Sequence, residues 1–593
     1  MLTYKPQQLE KKLSYLYQQI LQNQFLPLIK SELEKSLMYS SNYPVENSFK
    51  ILKAYLMLAN KEKLDINDIT SIFLTSIGKL NDENTKNNLP IHIKNALAIP
   101  LPTTALNQKF IDYTRKIINT YPEYMIAYII IKNTHENSKS ISLNTANAKY
   151  LFTNINLLID IPKMYTQEGF AKIYYFDIAN INELIKANQW ILGKHFVIRN
   201  STTLIQAVKT RYLENYYQYW IKLTHALMIK PFSTTKEALF IINQLLNPLN
   251  FMYTYNQYLV TSLNKTLPIS FLNSRKPHSS TTLIPKEISI NEKTKINLLL
   301  KGIFKYLQNI DQSTNALKTS FTLFQEIIFD KNNIITQLVN YSQKLSFPMN
   351  IWLFQIAKNT QDLILNYSIS YINNAWENDI LPFYTHNILL KYPFNKNSKH
   401  EVEKTEFISF LRDEGIFETF FEKFFEKFIN REPFSFKLKS FNHSLSPLSN
   451  KNLILLKQLI YIKNIFFKQG HLISHPYQFE LIASSPNVHS ISIINNKKKI
   501  LFKQNTTNSY TIDWALNNEL LIKIEDNKGN INTVEFKGPW SLLKFMDKGQ
   551  LSTTKNPLIY EFEYQQAGYI VKFNIKIDEL IQYFHQSEIN NSQ

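Results

Sequence analysis

Apolar residues recur with helical spacing through the first three quarters of the chain. Leu9, Leu13, Leu16 and Ile20 stand at i, i+4, i+7 and i+11, one stripe along one helix face. Between 417 and 428 the pattern sharpens. Phe417, Phe420, Phe421, Phe424, Phe425 and Phe428 share a face, and Glu418, Glu422, Lys423, Glu426 and Lys427 cover the other. An aromatic stripe at this spacing predicts a core face rather than a partner groove. The same period predicts helices over 47–60, 107–132, 178–190, 204–228, 236–264, 295–330 and 350–390. No fixed repeat of 34 or 40 residues is visible, so a regular solenoid is not expected.

After Gly470 the period changes to two. Short alternating runs at 477–483, 488–494, 499–504, 509–514, 520–525, 531–536, 558–564 and 569–575 predict strands. Ile522 and Ile524 alternate with Lys523 and Glu525, and Val571, Phe573 and Ile575 with Lys572, Asn574 and Lys576. Turn residues separate the runs: Asn495-Asn496, Asn527-Lys528-Gly529-Asn530, and Gln565-Gln566-Ala567-Gly568. One helix, at 539–547, interrupts them with Pro539 in its first turn. The predicted fold is multidomain and mainly α, with stacked helical blocks and a C-terminal antiparallel β-sandwich. The expected organisation is a helical region 1–265, a linker 266–292, a second helical region 293–470, a sandwich 471–580 with one inserted helix, and a tail 581–593. Polar stretches at 393–404 and 433–450 are further candidate connections.

Composition narrows the chemistry. Only 10 of 593 residues are glycine, five of them after residue 469. A chain so poor in glycine has no phosphate-cradling loop, and neither GxxxxGK[ST] nor GxGxxG occurs. There is no cysteine, which excludes disulfides, thiolate zinc sites and thiol nucleophiles. HExxH and GxSxG are absent; His135-Glu136 lacks the second histidine, and His471 and His475 precede a strand. Asp413-Glu414 reads as charge at the start of the following helix. No catalytic residue, metal site or cofactor is expected. The net charge of +19 is spread along the chain, with the densest run at Lys497-Lys498-Lys499. That distribution favours a solvated surface over a nucleic-acid stripe. Residues 1–12 are polar and carry no secretory signal. The apolar run Met125–Ile131 is far short of the roughly 18 residues of a membrane span, so no transmembrane helix is expected.

The six tryptophans sit in local words that carry more. Leu52-Lys53-Ala54-Tyr55-Leu56-Met57-Leu58 follows Leu26-Pro27, Leu33-Glu34 and Leu37. Ile161-Pro162 and Tyr165-Thr166-Gln167-Glu168-Gly169-Phe170 precede Trp190-Ile191-Leu192-Gly193. Tyr212, Tyr216 and Trp220 share a helix, and Leu246-Asn247-Pro248-Leu249 forms a turn. Later come Trp376 to Phe394 with its Tyr392-Pro393-Phe394 ending, then Phe407, Phe410, Gly415, Phe420 and Phe421. Ile465-Phe466-Phe467, Trp514 and Gly538-Pro539-Trp540-Ser541-Leu542-Leu543 complete the series. In this order, over about 26–545, the words resemble the periplasmic part of the IcmF/TssM family, inner-membrane scaffolds of type VI and type IVB secretion systems. The match has departures. Trp514 is followed by Ala515-Leu516 instead of the family's Trp-Pro-Gly, Asn495-Asn496 replaces an expected glycine, and Lys544 replaces an arginine.

The resemblance implies a non-enzymatic structural scaffold, type VI-like, forming a periplasmic stalk between inner-membrane components and an outer-membrane partner. It implies a TssJ-like outer-membrane lipoprotein and a DotU/TssL-like inner-membrane protein as partners, and a homo-oligomer in the assembled complex. The alternative within the family is a type IVB IcmF that stabilises the core complex with DotU; outside it, a basic helical nucleic-acid-binding protein. Family members usually carry transmembrane helices and a cytoplasmic domain ahead of this region. The chain is therefore expected at the periplasmic face of the inner membrane only when joined to such a region, whether it is excised, split or truncated. Trp190, Gly193, Trp220, Trp376, Gly415, Trp514, Gly538, Pro539 and Trp540 are expected to be structural, with the last three pinning the inserted helix to the sandwich. The expected partner-binding turns are Asn495, Asn496, Lys497, Lys498 and Lys499, and Asn527, Lys528, Gly529 and Asn530.

Overall fold

In the computed structural model the described residues are 6–76, 83–98, 101, 105–136, 141–143, 148–194, 196–274, 283–431, 435–436, 450–496, 498–503, 508–514, 516, 519–554, 556, 559–576 and 583–584. The chain divides into two compact units. The first takes in Met1–Asp311 and Asp330–Asp362, the second Gln312–Phe329 and Leu363–Gln593.

The first unit is helical. Its longer helices include Leu26–Met38, Val45–Met57, Gln108–Ile118, Glu123–Glu136, Ser201–Ala226, Thr235–Leu245, Phe251–Asn264 and Ile290–Asp311. Asparagine and threonine start many of them. The side chains of Asn107, Asn200, Thr234, Asn250 and Asn333 each accept a hydrogen bond from a first-turn backbone N–H. Capping by these types satisfies donors that the helix leaves open. Three stretches with one unbroken stripe are in fact two helices each. The 107–132 stretch breaks at Asn119–Pro122, 236–264 at Leu246–Asn250, and 295–330 at Gln312–Asn315. In each case a proline or a capping asparagine interrupts the backbone while the apolar phase continues past it. Residues 266–292 hold the helix Ile269–Ser274. The Pro285 and Lys286 carbonyls accept from Asn264 and Asn256, at 2.6 and 3.0 Å. In helix Pro6–Ile20 the stripe Leu9, Leu13, Leu16 and Ile20 is exposed, so its apolar face is not core among the described residues.

Buried aromatic side chains fasten this unit by reaching distant carbonyls. Trp220 Nε1 donates to the Tyr165 carbonyl at 3.0 Å and Tyr212 Oη to the Met164 carbonyl at 2.7 Å. Trp352 Nε1 donates to the Leu227 carbonyl at 2.8 Å. Gly169 lies beneath the same turn, capped by Thr166 Oγ1 at 3.1 Å. A Cβ at Gly169 would run into the carbonyl oxygen of Lys163, so only glycine lets the two backbones approach this closely.

In the second unit the phenylalanine stripe is fully buried at all six positions, although the helix ends at Phe424 and the chain turns before the short strand Ile429–Asn430. Beside it an ionic cluster forms around the buried Glu418–Lys463 pair. The Glu418 carboxylate accepts from Arg431 Nη1 at 3.0 Å and from Lys463 Nζ, and Lys463 also bonds Asp413 at 2.7 Å. Asp413 thus pairs across to the helix Asn450–Phe466 in addition to preceding the helix Ile416–Phe424.

The C-terminal part is a β-sandwich of nine strands among the described residues. They are β1 (His475–Ser484), β2 (Val488–Asn495), β3 (Lys498–Lys503), β4 (Ser509–Trp514), β5 (Glu519–Asp526), β6 (Ile531–Lys537), β7 (Gln550–Thr553), β8 (Ile559–Gln566) and β9 (Tyr569–Lys576). One sheet has the order β6-β5-β2-β3, the other β7-β8-β9-β1-β4, and every pairing is antiparallel. The alternation seen in sequence is the burial pattern: Ile522, Ile524, Val571, Phe573 and Ile575 point inward. Phe502 of β3 meets Phe573 of β9 at 5.3 Å between ring centroids, which joins the two sheets. The helix Ser541–Asp547 sets Phe545 against Phe536, Phe562 and Tyr564. Strand β7 is an addition to the sequence reading; four residues are too few for a period to register.

Two measurements test this account. Phe573→Ala should lower the stability of the second unit by about 3–5 kcal/mol in denaturant titration, the usual cost of emptying an aromatic site in a core. Burial opposes the charge on Glu418, but Arg431 and Lys463 outweigh it and hold the carboxyl below its ordinary value of 4.5. Its stabilisation is therefore complete above that value and lost as pH falls through the lowered one. The melting temperature of the second unit should drop most steeply below about pH 4.5. Glu418→Gln should flatten that drop and cost about 1–3 kcal/mol at neutral pH, because it removes the charged acceptor of Arg431 and Lys463 while Lys463 keeps Asp413.

Candidate functional site

Within the second unit, the words singled out in sequence converge on one indole. Trp540 is completely buried. Its ring faces Phe407 at 5.3 Å, Phe466 at 5.8 Å, Trp514 at 6.2 Å and Phe394 at 6.3 Å. Its Nε1 donates to the Val402 carbonyl at 2.8 Å, across 138 residues of chain. Phe394, Val402, Phe407 and Phe466 belong to the helical part; Trp514 belongs to β4. The tryptophan therefore does more than pin the helix Ser541–Asp547 to the sandwich. It fastens the sandwich to the helical block that precedes it.

The residues around Trp540 complete this joint. A short parallel bridge pairs Tyr392 with Glu401: Tyr392 N donates to the His400 carbonyl and Val402 N to the Tyr392 carbonyl, at 2.9 Å each. Tyr392 Oη donates to Asp547 Oδ2 at 2.7 Å, and Lys396 pairs with Asp547 Oδ1 at 3.4 Å. Burial and the Asp547 carboxylate push the Tyr392 phenol well above its ordinary range. Lys544 bonds Glu401 and also donates to the Lys537 carbonyl at 2.6 Å. Lys544 thus makes an ionic contact at the position where the resemblance leads to an expected arginine. Gly538 has φ +93°, and a Cβ there would lie 2.5 Å from both Glu401 carboxylate oxygens. Both the left-handed backbone and the close carboxylate require glycine.

The other structural words fall in packed places too. Trp220 lies in the aromatic interior of the first unit, and in the second unit Trp376 meets Phe420 at 5.5 Å. Gly415 is the N-cap residue of the helix Ile416–Phe424. Trp190 differs: it is half-buried on the turn Gln189–Leu192 that ends at Gly193.

The two expected partner-binding turns are both on the β6-β5-β2-β3 sheet but not together. Asn495 and Asn496 end β2, with Asn496 left-handed at φ 52°, and Lys498 and Lys499 open β3. Lys497 lies outside the described residues. Asn527–Asn530 joins β5 to β6. Antiparallel pairing sets Asn495 opposite Leu520 and Val488 opposite Asp526. The tips therefore occupy opposite ends of the sheet, roughly 25 Å apart along the strands. The 527–530 turn is closed by hydrogen bonds to one carboxylate. Asp526 accepts from Lys528 N and Asn530 N at 2.8 Å each, from Asn530 Nδ2 at 2.9 Å and from Tyr569 Oη at 3.0 Å. The Asn530 bonds above all hold its carboxyl down at about 2. Among the described residues no three histidine or carboxylate side chains gather as a metal site, and no helix is long and apolar enough to cross a membrane.

Comparison with known proteins adds the family. Residues 1–250 match the model described as IcmF-related, "Intracellular multiplication and human macrophage-killing". Residues 477–579, almost the whole sandwich, match IcmF_C, the "Type VI secretion protein IcmF C2-like domain". No curated protein sequence matches the chain. A solved structure described as a type VI secretion system membrane core complex is similar in fold. It shows 13% identity and a TM-score of 0.53, covering 77% of this chain and 95% of that one. A second, a type VI membrane complex, gives 12% and 0.51, with 77% and 89% covered. Two models matched in order, taking in more than half of the residues, agree with the ordered words from Leu26 to Trp540: the chain belongs to the IcmF/TssM family of secretion-system proteins.

Proposed function

We propose that this chain is a non-enzymatic scaffold of a type VI-like secretion complex, a periplasmic stalk between inner-membrane components and an outer-membrane lipoprotein. The observation that carries the reading is the Trp540 joint. A stalk must pass displacement from helices to sandwich without slack. In the second unit both parts close around one buried indole, a backbone bridge and the Lys544–Glu401 and Tyr392–Asp547 contacts. Similarity in fold to type VI membrane complexes over 77% of the chain supports it. The sandwich turns are the proposed partner contacts. Because they lie at opposite ends of the sheet, one compact lipoprotein would engage one tip and leave the other for a second component.

The joint is tested by Trp540→Ala. It should cost about 3–5 kcal/mol in the second unit, and amide exchange should speed up in 392–402 and 538–547 together. Trp540→Phe keeps most of the ring but strands the Val402 carbonyl, at about 1–3 kcal/mol. Faster exchange in one segment alone would sink the joint. The partner assignment is tested on the full chain against a candidate outer-membrane lipoprotein of the same secretion system. Lys498→Glu/Lys499→Glu and Asn527→Asp/Lys528→Glu are compared with wild type by biolayer interferometry. One variant, not both, should lose about tenfold or more in affinity. Wild-type binding by both removes the turns, and no binding by the unaltered chain removes the stalk reading.

A further inference from the structure

Five of the six tryptophans are at most 1% exposed. Trp190 is the exception, and it lines an open cleft of about 920 Å³ in the first unit. The cleft lies between the turn Gln189–Leu192 and the C-terminal end of the helix Gln108–Ile118. Arg115, Lys116 and Lys194 line it, against the single carboxylate Asp112. Arg115 is fixed: Nε donates to the Ile191 carbonyl at 2.9 Å and Nη2 to the Trp190 carbonyl at 2.8 Å. The two lysines are exposed and, among the described residues, enter no ion pair. Asp112 accepts from Gln108 Nε2 at 2.8 Å. The turn itself is held by Gln189 Nε2, which donates to the Gly193 carbonyl at 2.7 Å.

A partly exposed tryptophan lining a cleft with one hydrogen-bonded guanidinium and two exposed ammonium groups has the composition of a protein-binding hot spot. The cations favour carboxylates, and the indole face favours an apolar or aromatic side chain. A nucleic-acid strand would need a longer basic track than three cations in one concavity. We propose that this cleft docks an acidic peptide segment of another protein, in which carboxylates flank an aromatic or aliphatic residue. The assignment rests on the first unit alone, and its failure would leave the Trp540 joint and the sandwich turns untouched.

The probe is a fluorescein-labelled pentapeptide with two carboxylate residues on each side of a central phenylalanine, titrated with the full chain at low salt. Its counterpart carries the matching amides. The acidic peptide should raise polarisation with a Kd of about 10–100 µM, and the amide peptide should bind about tenfold more weakly or not at all. Added salt should weaken the acidic peptide. Lys116→Glu/Lys194→Glu, both exposed positions, should reduce its affinity about tenfold. Trp190→Ala should do the same, with circular dichroism unchanged. Equal binding of both peptides, wild-type affinity in the double lysine variant, or no binding by the native chain would each overturn the proposal.

Discussion

The second unit depends on an indole N–H that has to find a carbonyl. Burying Trp540 removes a large apolar surface from water, but its one polar group is costly to bury unpaired. The Val402 carbonyl supplies the partner, and it is available because the 392–402 segment folds back on itself through the Tyr392–Glu401 bridge. That requirement organises the surroundings. Phe394 and Phe407 follow from the segment's position, Phe466 and Trp514 close the remaining sides, and Gly538 admits the Glu401 carboxylate. A sandwich and a helical block thus share one continuous core.

The sandwich was largely legible in the sequence, because a half-buried strand writes its period directly. Alternation at Ile522–Glu525 and Val571–Lys576 is the inward and outward pattern of β5 and β9. The helices were legible as stripes but not as separate rods. An apolar stripe continues in phase through a tight break, so Asn119–Pro122, Leu246–Asn250 and Gln312–Asn315 read as helix interior. The breaks were written in their proline and asparagine residues, a local signal that the longer window averages away. The exposed stripe of Pro6–Ile20 is the reverse case: periodicity reports amphipathicity, and only a packed neighbour makes a face into core.

The candidate site was legible in its parts and not in its assembly. Tyr392-Pro393-Phe394, Phe407, Phe466, Trp514 and Gly538-Pro539-Trp540 were each visible as words. Nothing in one sequence says that five words spread over some 150 residues meet at one ring. The two turns show the same limit. Each carried the right turn residues, but strand order decides whether two hairpins point the same way, and pairing β2 antiparallel to β5 sends them apart. Trp190 had the same local look as its buried counterparts. Its partial exposure goes with its place on the rim of a cleft, where Arg115 binds the Trp190 and Ile191 carbonyls.

Lysine at the β2–β3 tip has two physical uses that pull in different directions. Strand β3 lies at the edge of its sheet, hydrogen-bonded to β2 as its one neighbour in the strand order. Lys498, Lys499 and Lys503 along such an edge discourage another strand from adding to it. The same charges would attract an acidic partner at the hairpin tip. The uses are compatible only if recognition is by side chains at the tip and not by strand addition along β3. The opposite edge, β6, carries Ile531, exposed at 61%, and mixed charge at Glu535 and Lys537, so it is less protected. The asymmetry leaves β6 the edge more open to an added strand and β3 the edge better guarded against one.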